Sequence, residues 1–101
     1  MSIGFIGFHY PKAEHFEEFI DRARQMGEAM RSTPGFLSGG CWTTATPDGD
    51  SVVTACQFES PEAFQAAMTA ARSLGTVAVF DKREQRPREI HTLQSQFQLT
   101  R

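Results

Sequence analysis

Two stretches with a helical period lie among four with a strand period, in the order strand, helix, strand, strand, helix, strand. That order admits few folds. Ser2 to Tyr10 (SIGFIGFHY) reads as the first strand, with Ile3 and Phe5 on one face, Ile6 and Phe8 on the other, and Pro11 as its stop. Ala13 to Arg31 predicts the first helix. Phe16, Phe19, Ile20, Ala23, Gly27 and Met30 form its apolar stripe, opposite a solvated face rich in Glu and Arg. Glu18 and Arg22 are an i,i+4 pair in the favourable order. Thr33-Pro34-Gly35 turns the chain into the second strand, Gly35 to Ala45, where Gly39-Gly40 predicts a bulge or a close backbone approach. Thr46-Pro47-Asp48-Gly49-Asp50 predicts a hairpin turn of type I with a bulge, leading into the third strand, Ser51 to Glu59. Ser60 and Pro61 open the second helix as N-cap and first helical residue, Phe64, Ala67, Met68 and Ala71 form its stripe, and Gly75 is its C-cap. Thr76 to Phe80 fits a short strand or one helical turn. Asp81 to Glu89 reads as a solvated connection, and Ile90 to Leu99 as the last strand, with His91, Leu93, Ser95, Phe97 and Leu99 on one face.

This is the α+β, ferredoxin-like βαββαβ order, which implies a four-stranded antiparallel sheet with strands one and four as neighbours. Two helices cover only one face of such a sheet. Strand three is nevertheless apolar on both faces, with Val52, Cys56 and Phe58 on one and Val53 and Ala55 on the other. The uncovered face needs another layer, and a second copy of the chain is the economical one, so a homodimer is expected. A hairpin centred between Asp48 and Gly49 sets Cys41 opposite Cys56 and Trp42 opposite Ala55. Trp42, Val53 and Ala55 are then the expected dimer interface, on the face away from the helices.

The chain has 101 residues, which fits a single domain over 1–101. A net charge of −2 and a pI of about 5.9 argue against a nucleic-acid partner. No apolar run is long enough for a membrane span, no signal-peptide pattern is present, and two cysteines without CxxC spacing fit a reducing cytoplasm. The three histidines lack metal-ligand spacing, so no metal is expected.

The run Pro34-Gly35-Phe36-Leu37-Ser38, the Pro-Asp-Gly hairpin, Gln57-Phe58-Glu59-Ser60 and Pro61-Glu62-Ala63-Phe64 resemble the antibiotic-biosynthesis monooxygenase (ABM) family. The resemblance covers nearly the whole chain and implies the dimeric α+β barrel fold. It also implies oxygenation without metal or flavin: a base removes a proton from an activated phenol or similar carbon acid, and the resulting anion reacts with oxygen directly. The haem-degrading branch of the superfamily has an Asn-Trp-His triad. This chain contains no Asn, Phe58 stands where that branch has its Trp, and Trp42 lies on the second strand instead. Neither haem nor flavin is therefore expected.

Such a site needs a proton acceptor near neutral pH and aromatic walls. His9 at the end of strand one and His91 at the start of strand four are the candidate acid/base pair, because their strands are expected to be neighbours. Phe5, Tyr10, Phe58, Phe64 and Met68 are the candidate walls for a small aromatic or polyketide-like substrate held between sheet and helices. A Phe-rich core is the commoner reason for such residues, and two partly exposed histidines at a sheet end are the commoner state of such a pair. The alternative function is a non-catalytic dimer that binds a small ligand or a partner.

Overall fold

The computed structural model describes residues 2–47, 49–73 and 83–101. Their elements are β1 (Ile3–His9), a single 3-10 turn (Ala13–His15), α1 (Phe16–Arg31), β2 (Phe36–Thr46), β3 (Gly49–Phe58), α2 (Pro61–Ser73) and β4 (Glu89–Gln94). The strands form one antiparallel sheet in the order β2-β3-β1-β4, the ferredoxin-like arrangement. Both helices lie on one face. Ser60 caps α2 as expected, its Oγ accepting the Ala63 N–H at 3.1 Å, with Pro61 at the first helical position.

Alternation along the strands fixes the faces. Ile3, Phe5, Cys56 and Phe58 turn toward the helices and pack with Met30, Phe64, Ala67 and Ala71 in the core. Phe58 is fully buried, with its ring 5.5 Å from those of both Phe36 and Phe64. Ile6, Phe8, Val53 and Ala55 pair across β1 and β3 on the opposite face, which neither helix covers.

The hairpin is shorter than expected. Thr46 pairs with Gly49, so only two residues link β2 to β3, and Trp42 lies opposite Val53 rather than Ala55. The shift is even, so Trp42 keeps its expected face while its partner changes. Cys41 lies opposite Thr54, and Cys56 opposite Gly39; the two thiols are not cross-strand partners. The irregularity in β2 falls between Phe36 and Ser38, before the glycine pair. The glycines serve close approach instead. A Cβ on Gly39 would sit 3.1 Å from the Phe36 ring, and one on Gly40 would sit 2.8 Å from the Trp42 ring.

The last strand ends at Gln94 rather than Leu99, and Phe97 and Leu99 lie exposed beyond it. The segment leading to β4 is only partly solvated: Glu84 is buried and bridges to Pro11. The expected helix C-cap at Gly75 and the ambiguous stretch Thr76 to Phe80 lie outside the described residues. Among the described residues, no helix is long and apolar enough to cross a membrane.

Candidate active site

A cavity of about 580 Å³ lies between α1 and the helix-facing side of the sheet. Such a volume falls in the ~300–1,000 Å³ range of small-molecule sites. Phe19, Ile20 and Met26 of α1, Phe5 of β1, Phe36 of β2 and Met68 of α2 give it apolar walls. Gly27 borders it too, and a Cβ there would meet nothing within 4 Å.

His9 places a buried imidazole on the cavity wall. It is only 6% exposed, and its ring lies 4.9 Å from that of Phe19. Gly7 makes room for it: a Cβ at that position would stand 2.7 Å from His9 Nε2. Nε2 is hydrogen-bonded to Thr54 Oγ1 at 3.1 Å, while Nδ1 is buried with no hydrogen-bond partner. With the proton on Nε2 and donated to Thr54, Nδ1 carries a free lone pair. Burial, and then the Arg88 guanidinium, push the imidazole down from 6.5 to about 4, so it is neutral at physiological pH. Cys56 also lines the cavity, but burial pushes its thiol up to about 11, which removes it as a nucleophile.

The expected histidine pair does not form. His91 lies opposite Ile6, and its ring packs edge-on to Phe8 on the open face. His9 and Phe8 are strand neighbours and point to opposite faces. The same register, carried one residue beyond the Phe8–Glu89 pair, places Arg88 beside His9 instead. Of the candidate walls, Phe5 and Met68 line the cavity, whereas Phe58 and Phe64 lie in the core behind Phe5. Tyr10 sits in a separate hollow, where its hydroxyl donates to Glu89 Oε1 at 3.4 Å and Arg86 stacks 3.8 Å over its ring. Sequence reasoning missed Phe19, Met26, Phe36, Thr54 and Arg88. The first three appear in a sequence only as core apolar residues. Trp42 is on the open face as expected and 58% exposed in the single chain.

Rv0793 from Mycobacterium tuberculosis shares the fold with a TM-score of 0.80 and 16% identity, covering 99% of this chain and 100% of that one. SnoaB from Streptomyces nogalater, described as a cofactor-independent oxygenase, gives 0.70 at 15% identity, covering 99% and 98%. The heme-degrading protein Rv3592 from Mycobacterium tuberculosis gives 0.68 at 18% identity, covering 99% and 100%. At these identities the likeness is one of fold. No curated protein matches by sequence. The sequence profile described as antibiotic biosynthesis monooxygenase matches residues 3–78, most of the chain. With its strand order and helix-covered cavity, the chain belongs to the antibiotic biosynthesis monooxygenase family.

Proposed function

We propose that the protein is a cofactor-independent monooxygenase acting on a small aromatic, polyketide-like carbon acid held between α1 and the sheet. The observation that carries this reading is a buried, neutral imidazole with an unpaired ring nitrogen on the wall of a largely apolar cavity. A polar atom at such depth is unfavourable unless a water or a ligand completes it, and a ligand entering the cavity can do so. His9 takes the substrate's acidic C–H or O–H proton. The carbanion or phenolate left behind gives its electrons to O₂. One oxygen atom becomes a ring carbonyl, and the other leaves as water with the two hydrogens of the former CH₂. A low basicity suits this step, because the anion formed beside the imidazole raises its proton affinity once the transfer begins.

The functional unit in this reading is a homodimer joined through the open sheet faces, with Trp42, Val53 and Ala55 in the interface. It works in a reducing cytoplasm, consistent with two free cysteines. His91, on that open face, takes no part in proton transfer.

Oxygen uptake by chelator-treated protein with an anthrone tests the reading. We expect uptake in proportion to enzyme, at least about a hundredfold slower in His9→Gln and unchanged in His91→Ala. No uptake above the spontaneous rate with anthrones or hydroquinones would leave the non-catalytic ligand-binding domain as the function.

A further inference from the structure

We propose that the cavity selects ligands that join an aromatic ring to an anionic group, with Arg88 holding the anion and the walls of α1 and β2 holding the ring. The inference rests on the ligand-binding reading of the cavity and names the class of molecule it takes.

Arg88 is placed with care. Its side chain is 16% exposed, and its Nη2 donates to Glu84 Oε2 at 2.5 Å. Glu84 is itself buried and is held by its bridge to Pro11. Flanking backbone bonds fix the segment, from Lys12 N–H to the Arg83 carbonyl at 2.8 Å and from Gln85 N–H to the Tyr10 carbonyl at 2.7 Å. Arg88 lines the cavity and Glu84 does not. The pair therefore stands with its positive end toward the ligand space and its negative end in the protein.

Helix α1 adds further arginines to the wall. Arg22, Arg24 and Arg31 of α1 border the cavity. Their carboxylate partners are Glu18 at 3.9 Å, Asp21 at 3.4 Å and Glu28 at 2.6 Å, and of these only Glu28 borders it. Among the described residues, the cavity wall thus carries four guanidinium groups and one carboxylate, in a chain of net charge −2. Exposed helix pairs hold their charges weakly, and a low-dielectric cleft concentrates the field of one sign. An arginine also recognises a carboxylate in a planar, two-point fashion that a neutral hydroxyl does not match.

Calorimetric titration at neutral pH with 2-naphthoate and with 2-naphthalenemethanol tests this, because the two probes share a ring and differ in charge. We expect the carboxylate to bind at least about tenfold more tightly, a preference that shrinks as salt is raised. Arg88→Met, which keeps an apolar stem, should bring the carboxylate down to the level of the alcohol and leave the alcohol unchanged. Arg88→Lys should retain part of the preference and shows the effect if the methionine variant fails to fold. Equal affinities in the wild type, no binding of either probe, or a preference that survives in folded Arg88→Met would overturn the proposal. Preferential binding of the carboxylate without any oxygen uptake would support the selection and remove only the oxygenase reading.

Discussion

The imidazole of His9 lies over Gly7 and against Phe19, and this placement sets both its basicity and its cost. Its pKa is lowered from 6.5 to about 4. The unfolded chain therefore binds a proton below about pH 6.5 that the native state refuses until about pH 4. The stabilisation is complete above pH 6.5 and is lost as pH falls through that window, by roughly 3 kcal/mol. Urea midpoints measured at fixed protein concentration should fall steeply from pH 6.5 to 4.5 in the wild type and much less in His9→Gln; parallel slopes would show that His9 is not the group. Gly7→Ala would press a methyl against Nε2 and break the bond to Thr54. It should cost ~1–3 kcal/mol and most of the oxygenase rate, while leaving His91 undisturbed. His9 was legible in the sequence as a strand-end histidine near neutrality. Its partner was not, because a one-residue difference in register exchanges one face for the other. Neighbouring strands were enough to suggest His91, but only the observed register gives Arg88.

Elements are legible in the sequence where periodicity and punctuation agree, and much less so where the chain leaves the sheet. Both helices and the hairpin pair follow from their apolar spacing and from the Ser60-Pro61 and Pro47-Asp48-Gly49 signals. Phe97 and Leu99 continue the alternation of the last strand, although pairing with β1 stops at Gln94. Glu84 looked solvated because a buried carboxylate is recognisable only from its partner, here Arg88. The cavity itself was illegible, since its walls read as core. Two glycines separate local geometry from packing. Gly27 lies inside α1 with open space around it, so Gly27→Ala should raise stability by about 0.5–1 kcal/mol. Gly35 has φ +91°, and a Cβ there would meet the Ala63 Cβ of α2 at 2.5 Å. Gly35→Ala should destabilise by ~1–3 kcal/mol through strain and a displaced α2. Denaturant midpoints that move the same way for both would contradict this account of the β2–α2 junction.

At the scale of the whole molecule, the described residues cover the sheet on one side only. Ile6, Phe8, Val53, Ala55 and Trp42 share the face without a helix, and Leu93 beside them is 47% exposed. A monomer rarely leaves so much contiguous apolar surface to water. Val53→Glu should therefore halve the mass seen in sedimentation and shift the emission of Trp42 to the red, while a monomeric wild type would refute the expected interface. Trp42 is the only tryptophan and faces away from the cavity, so its emission reports association rather than ligand binding. In the proposed reaction His9, neutral in its cavity, is the base of a cofactor-free oxygenation. Its most direct test is the pH profile of kcat/KM for anthrone oxygenation, in wild type and His9→Gln, wherever circular dichroism shows folded protein. We predict a wild-type rate that varies less than about twofold between pH 7.5 and 5.5 and turns down only toward pH 4, with activity nearly abolished in His9→Gln. A tenfold fall across that same interval, as an exposed histidine would give, or equal activity in His9→Gln, would contradict it.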